Sequence, residues 1–408
     1  MFLESRLERM VGRLRDVDDA RDIPLRLRLW SGRTLDLGPR PSVTVTIPKP
    51  SALRYLVAPD LLKLGEAYAE GHIQVEGKLA DVFDVAERLA RRAPRASRLS
   101  RWRLRPPHSR ERDRRAVAYH YDVSDEFYRL FLDRNMVYSC AYFRSEADTL
   151  ELAQEQKLDH ILNKLDVRPG ERLLDIGCGW GALVFRAAER YGACCVGITL
   201  SSNQFDHVRG EIRRRGLQGR VEVRLQDYRD LPADEPFDKI ASVGMIEHVG
   251  LRNFPVYFSR IHNLLRDGGV VLNHGITTVA DPETRDSGAG AQAFIDRYVF
   301  PDSELPTIAQ VIEAMADARL DVVDLESLRR HYARTCEHWA RSLERNRRHA
   351  VEIAGDKRYR IWSVYLQGCA HGFAQGWMSL YQVLAVKQGG PEMNRLRLTR
   401  EYMYPDRR

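Results

Sequence analysis

The residues best placed to do chemistry lie in a few short stretches. "LLDIGCGWG" at residues 173–181 runs from a strand-like segment into a glycine-rich turn, with a helical pattern after it. Gly177, Gly179 and Gly181 let the backbone turn tightly and approach a ligand without a Cβ in the way. Their G-x-G-x-G spacing differs from the G-x-G-x-x-G of a dinucleotide site, and the loop has no lysine, so a triphosphate site is poorly supported. Asp175 just before the loop favours a cofactor with a methionine-sulfonium end. Open α/β sheets bind ligands beyond the carboxyl ends of their strands. At successive strand ends stand Thr199, Leu200 and Gln204 in "VGITLSSNQ", then Asp227, Tyr228 and Arg229 in "QDYR". "NMVYSCAYF", residues 135–143, sets Cys140 among aromatics. The six cysteines form no CxxC and show no paired Cys/His ligand spacing, so a zinc site and a disulfide at Cys140 are both unexpected.

These residues need a scaffold, and the hydrophobic pattern supplies one. From about residue 116, "ERLLDIGCG", "ACCVGITL", "RVEVRLQD", "FDKIASVG" and "GGVVLNHG" read as strands, with helical stretches between the first ones. That alternation predicts an α/β doubly wound, mostly parallel sheet. "YQVLAVKQGGPEMNRLRLTREYMY" reads as two strands around a Gly-Pro turn, an antiparallel hairpin at the sheet edge. Residues 1–90 read as a small α+β unit. "IPLRLRLW", "RTLDLG" and "SVTVTIP" are its strands, and helical pattern covers "SALRYLVAPDLLKLGEAYAEG" and "DVFDVAERLARR". The expected division is residues 1–90, a linker at 91–115, and a second domain at 116–408.

With 408 residues, 44% of them hydrophobic and 30% charged, the chain has the composition of a globular protein. No stretch of about 18 unbroken apolar residues predicts a transmembrane helix, and the first residues lack the pattern of a signal peptide. Leu3, Leu7, Met10 and Leu14 fall on one helical stripe, read as a docked surface helix or one lying on membrane. The net charge of +7 is concentrated at 88–115, where arginine takes nearly every second position. Such a run serves as a solvated linker or attracts anionic lipid, at roughly 1 kcal/mol per basic residue. Nucleic-acid binders often interleave aromatics with the basic residues; only Trp102 does so here, and no nucleic-acid partner is expected.

An acid followed by G-x-G-x-G after the first strand resembles the class I S-adenosylmethionine (SAM) methyltransferases. One departure is that Thr199 and Gln204 stand where most of that superfamily carries an acid for the ribose. A narrower likeness follows from "AYHYDVSDEFYRLFLDRNMVYSCAYF", "LLDIGCGWGAL", "GITLSSNQ", "IEHVG", "FIDRYVFPDSELP" and "HYARTCEHW", which occur in this order. They resemble the cyclopropane-fatty-acyl-phospholipid synthase family, related to the mycolic acid cyclopropane synthases. "LLKLGEAYAEGHIQVEG" at 61–77 resembles the N-terminal domain of the phospholipid-acting members.

The resemblance implies a class I SAM-methyltransferase Rossmann-like sheet with added helices over an acyl pocket, and a lipid-associated N-terminal domain. It implies transfer of the SAM methyl to a cis double bond of a phospholipid acyl chain. Loss of a proton from the added methyl then closes a cyclopropane ring. Such chemistry needs a methyl donor, shelter for a cation, a base and the exclusion of water. The base implied is bicarbonate, cradled by Cys140, Glu247, His274, Ile276 and Tyr332. Glu247 would accept its hydroxyl proton, and backbone N–H groups of Cys140 and Ile276 would donate. Tyr138, Ser139, loop 173–181, Thr199 to Gln204, Tyr228 and Arg229 would contact SAM, with Asp227 accepting from the adenine amino group. Cys369 in "YLQGCAHGF" matches a cysteine once proposed as a nucleophile, and is otherwise a small buried hydrophobe. Phe294, Tyr298 and Phe300 would line an acyl channel or serve as ordinary core. No metal is expected. A homodimer and a cytoplasmic location at the inner membrane face come from the resemblance alone. The alternative product is a methylene or methyl branch made by a SAM-dependent C-methyltransferase.

Overall fold

The computed structural model describes residues 23–56, 60–92, 124–279, 281, 289–300, 304–389 and 396–404. The stripe of Leu3, Leu7, Met10 and Leu14 and the arginine-rich run beyond residue 92 lie outside them. The chain divides into two units. The first draws on Met1–Leu104, Ser287–Pro301 and Leu343–His371, and the second on Arg105–Asp286, Asp302–Ser342 and Gly372–Arg408. The first unit is therefore built from three stretches of chain rather than from one N-terminal run.

In the first unit β1 (Leu25–Arg28), β2 (Thr34–Asp36), β3 (Val43–Thr46) and β4 (Gln74–Glu76) form a sheet of order β2-β1-β3-β4. Only β1 and β3 are parallel. The period of two sets Leu25 and Leu27 into the core, while Arg26 grips Asp36 across β2 through two bonds of 2.7 and 2.8 Å. The helix Leu61–Ala69 starts where Asp60 accepts from the Lys63 N–H. Gly65 on it has no Cβ to hold off the Phe294 ring, which lies 2.9 Å from where one would stand. Phe294 and Tyr298 on the helix Ala289–Tyr298, Phe300 beyond it, and Cys369 all belong to this unit.

The second unit carries β5 (Arg172–Ile176), β6 (Cys194–Thr199), β7 (Val221–Leu225), β8 (Phe237–Val243), β9 (Leu265–Thr278), β10 (Leu320–Ser327) and β11 (Met378–Lys387). The order is β10-β11-β9-β8-β5-β6-β7. β5 to β9 run parallel, while β11 is antiparallel to both β9 and β10. The sheet is buried on both faces, so its strands read as near-continuous apolar runs. Leu173, Cys195, Leu272 and Leu384 pack on one side with the helices Leu150–Lys164, Ala182–Tyr191 and Ser202–Arg215. Leu174, Val196, Val271 and Val383 face the other side with Phe254–Leu264 and Ile308–Asp317. The five predicted parallel strands are present. The predicted C-terminal hairpin is not: β11 pairs with β10, and residues 400–403 form a 3-10 turn where a second strand was expected. The alternation in "LRLTREYMY" places Met403 and Tyr402 against the core just as well from a 3-10 turn.

The order of strands reverses at β5, whose neighbours are β6 on one side and β8 on the other. The chain therefore leaves the sheet in opposite directions there and opens a crevice at the carboxyl ends. β10 is tied to the helix Leu150–Lys164 by buried charge. Lys164 is fully buried and meets Asp324 at 3.1 Å and Glu326 at 2.6 Å, and His160 meets Glu326 at 2.7 Å. Burial alone would raise the Glu326 carboxyl, but the His160 hydrogen bond and Lys164 bring it down to about 2. Lys164→Met removes the buried cation that Asp324 and Glu326 share, leaving Asp324 to Arg400 at 2.6 Å and Glu326 to His160, an expected loss of about 3 kcal/mol in denaturant unfolding. A carboxyl held low stabilises above its unfolded value and loses that contribution as pH falls. Wild-type stability should therefore drop between about pH 4 and pH 2, by more than that of Lys164→Met.

Candidate active site

Past the end of β5 the backbone turns through Gly177, Gly179 and Gly181 at φ of 80°, 56° and 88°. These left-handed values suit glycine. At Gly177 a Cβ would also lie 2.5 Å from the Met245 sulfur. Around this turn runs one cleft with two lobes, which share Gly177, Gly179, Gln204, Val243 and Gly244. One lobe passes over Thr199, Leu200, Asp227, Tyr228 and Arg229. The other is lined by Tyr138, Ser139, Lys157 and Asp175. Every expected cofactor residue except Gly181 lines the cleft; Gly181 caps the helix Ala182–Tyr191 behind it.

In the first lobe the Thr199 hydroxyl donates to the Gln204 carbonyl at 2.8 Å, which leaves the Gln204 NH2 as a donor. This pair fills the position where an acid would stand. Tyr228 is set edge-on against Tyr257, with ring centres 5.2 Å apart. Asp227 is gripped by its neighbour: Arg229 Nε and Nη2 donate to its two oxygens at 2.8 and 2.6 Å. Any adenine amino group would thus share Asp227 with a guanidinium, a partner the sequence reading did not foresee. The second lobe holds two buried charged side chains, Lys157 and Asp175. Burial pushes the Asp175 carboxyl up to about 7, against the pull of Lys157, and its Oδ1 has no partner among the described residues.

The stretch 135–143 is pinned from several sides. Both oxygens of Asp133 are occupied, by the Asn135 N–H at 2.9 Å and the Val137 N–H at 2.8 Å. This holds Met136 at a φ of 56°, strained for a residue with a side chain. The Ser139 carbonyl accepts from Gln154, and the Ala141 N–H donates to Thr335 Oγ1 at 3.0 Å. Cys140 is fully buried, and burial drives its thiol far above the ordinary range, so it is held as a thiol.

The five expected cradle residues are linked through the backbone at the end of the sheet. Cys140 Sγ and the Tyr332 N–H both point to the Leu328 carbonyl. The Leu328 N–H donates to the carbonyl of Leu380, which pairs with Ile276 across β9 and β11. The Ile276 N–H donates to Glu247 Oε1 at 2.7 Å. That bond corrects one expectation: the Ile276 N–H serves Glu247 and is not a spare donor. His274, two residues back, is buried, and burial brings its imidazole down to about 3, so it is neutral. The Gln382 amide N faces its Nδ1 at 3.3 Å, which places the hydrogen on Nε2. His274 Nε2–H and Glu247 Oε2 are a buried donor and a buried acceptor without partners among the described residues. Burial raises the Glu247 carboxyl to about 7, offset in part by the Ile276 N–H. Aromatic rings pack nearby, Tyr332 stacked on Phe373 at 4.6 Å and Tyr138 against Trp339 at 5.2 Å.

Cys369 falls in the part of the helix Asp356–Gln375 that belongs to the first unit, and burial pushes its thiol up to about 12, so it is held as a thiol. Sequence reading missed Lys157 in the cleft and Asp133, which pins the stretch beside it. The signal for Lys157 was present, since it shares a helical stripe with Leu150, Ala153, Leu158, Ile161 and Leu162, all of which are buried.

Comparison with known proteins accords with this site. Residues 108–383 match the family model for mycolic acid cyclopropane synthetase, and residues 15–96 match a domain of unknown function, DUF7884. A Pseudomonas putida protein named "Probable fatty acid methyltransferase" is 44% identical over 386 residues, covering 94% of this chain and 96% of its own. The solved structure of the cyclopropane synthase MmaA2 from Mycobacterium tuberculosis is 38% identical with a TM-score of 0.65, covering 69% of this chain and 99% of its own. The mycolic acid cyclopropane synthase CmaA1, solved with SAH and CTAB, shows the same identity, TM-score and coverage. The glycine turn at the switch point, the cleft around it and the match over most of the chain agree: this protein belongs to the mycolic acid cyclopropane synthetase family, a family of SAM-dependent methyltransferases.

Proposed function

We propose that this protein transfers the methyl group of SAM to the cis double bond of a phospholipid acyl chain and closes a cyclopropane ring with the help of bicarbonate. The observation that carries the reading is the glycine-turn cleft together with Glu247 Oε2 after β8 and His274 Nε2–H on β9, both buried and without partners among the described residues. SAM would supply an electrophilic methyl on a sulfonium. The cleft fits it: the free Asp175 oxygen suits an ammonium, and the Thr199–Gln204 pair and Tyr228 suit a nucleoside.

Bound bicarbonate would supply the base that takes a proton from the added methyl. The donor set suits it, because that ion both donates and accepts a hydrogen bond. His274 Nε2–H offers a donor and Glu247 Oε2 an acceptor, while the Ile276 N–H steadies the other Glu247 oxygen. Neutral His274 adds no positive charge that would repel a developing cation. The rings of Tyr138, Tyr332, Trp339 and Phe373 offer π faces to such a cation, at about 0.5–2 kcal/mol each. Trp339 and Phe373 are buried, which limits the water that would otherwise capture it as an alcohol.

A second reading, a C-methyltransferase making a methylene or methyl branch, is favoured by the "fatty acid methyltransferase" relative, whose likeness spans nearly the whole chain. The phospholipid substrate and attachment to an anionic membrane surface rest on the sequence, through the resemblance of residues 61–77 and the arginine run at 88–115.

Incubation with methyl-labelled SAM and vesicles of cis-unsaturated phospholipid should move label into the acyl chain, with NMR showing cyclopropane protons. An exocyclic methylene would establish the second reading, and unlabelled lipid would reject both. Equal labelling of neutral and anionic vesicles would count against the docking surface. Glu247→Gln should lower turnover by about 10²–10⁴ with cofactor binding kept. A carboxyl raised to about 7 is ionised only above that pH, so wild-type turnover should rise with pH through about 7. The glutamine variant should lack that limb. Cys140→Ser keeps the backbone N–H and a small side chain, and should change turnover by no more than a few-fold. Complete inactivation with folding and cofactor binding intact would instead make the thiol a participant.

A further inference from the structure

Lys157 is a charged group of the cleft to which the expected roles give no task. It sits on the helix Leu150–Lys164, only 2% exposed, and its Nζ donates to Ser139 Oγ at 2.9 Å. That hydroxyl is its one hydrogen-bond partner among the described residues, and no carboxylate there lies within ion-pair distance of it. Lys164, two turns along the same helix, meets two carboxylates. An ammonium carries three donors, and burying it without a counter-ion is costly. Burial pulls Lys157 down to about 8, against the fields of Asp133, Cys140 and Asp175.

The nearby acids do not complete the set. Asp133 is engaged by the N–H groups of Asn135 and Val137, whereas Asp175 Oδ1 is fully buried and has no partner among the described residues. One lobe of the cleft thus holds a cation with spare donors and a carboxyl with a spare acceptor. That is the complement of an α-amino acid zwitterion.

On the SAM reading given above, we infer that Lys157 binds the α-carboxylate of the cofactor's methionine moiety, while Asp175 takes its α-ammonium. Ser139 then acts as a positioning residue that orients Nζ. The carboxylate would neutralise a lysine that otherwise opposes the sulfonium charge. The site would discriminate against adenosyl thioethers and sulfonium compounds that lack the carboxylate.

The test is calorimetric binding to the full chain, with no turnover required. S-adenosylhomocysteine is compared with S-adenosyl-3-thiopropylamine, which lacks only the carboxylate, and with methylthioadenosine. Wild type should prefer S-adenosylhomocysteine over the thiopropylamine by about 10- to 100-fold, the range of a charge-assisted hydrogen bond. In Lys157→Met that preference should collapse, with methylthioadenosine affinity unchanged as evidence of a folded cleft. Equal affinity of wild type for all three ligands, or full discrimination by Lys157→Met, overturns the inference. If Lys157→Met does not fold, proton uptake decides in wild type at pH 8, measured in buffers of different ionisation heat. A carboxylate that raises the Lys157 pKa takes up protons, so S-adenosylhomocysteine should exceed the thiopropylamine in uptake. Asp133, Asp175, Cys140 and His274 also sense this charge, but both ligands carry the ammonium, so the difference isolates the carboxylate. Equal uptake overturns the inference. Binding of none of the three ligands would reject the SAM reading itself, and this inference with it.

Discussion

The site depends on one backbone constraint, a left-handed glycine turn at the carboxyl end of β5. The sheet reverses its order there, so the connections after β5 and β8 depart in opposite directions and leave a crevice between them. The turn must pass close under that crevice without a side chain, and at Gly177 even a methyl group would strike Met245. The rest of the cleft is placed by this geometry. Asp175 is the last inward position before the turn, Thr199 closes the adjacent strand, and Gly244 begins the chain's exit from β8. Substituting the glycines would move the backbone at the one point where three strand ends meet.

Around that turn the protein buries an unusual amount of polar chemistry. Asp175, Lys157, Glu247 and His274 are nearly inaccessible, and each is displaced from its ordinary protonation range by burial before anything else. In a structural network such groups neutralise one another, as Lys164 on its helix does with Asp324 and Glu326 on β10. In the cleft the pairing is incomplete, and the spare atoms are both donors and acceptors. Incomplete pairing of buried charge is costly to stability, and it persists where a ligand can complete it. The contrast between the two clusters, less than two helical turns apart, separates structural charge from functional charge in this molecule.

The fold was largely legible beforehand. Strands buried on both faces leave long apolar runs, and the five parallel strands stood out for that reason. The error at the C terminus has the same origin. Tyr402 and Met403 pack on the core from a 3-10 turn, a placement that short-range pattern cannot tell from a strand. The pairing of β11 with β10 was invisible because the two are separated by more than fifty residues. Asp133 also escaped notice, since an acid in a loop announces nothing until its oxygens are found on the N–H groups of Asn135 and Val137.

By itself the sequence determined the family, the glycine turn and the residue types at each strand end. Those follow from local pattern and from motifs of contiguous residues. Only the tertiary structure decided which of those residues retain unsatisfied atoms. It showed Asp227 held by Arg229, the Ile276 N–H committed to Glu247, Cys369 buried as a thiol, and Lys157 turned into the cleft with no counter-ion among the described residues. Hydrogen-bond partners and burial depend on segments far apart in the chain, and protonation follows from both. What each side chain has left to offer a ligand is therefore a property of the packed molecule.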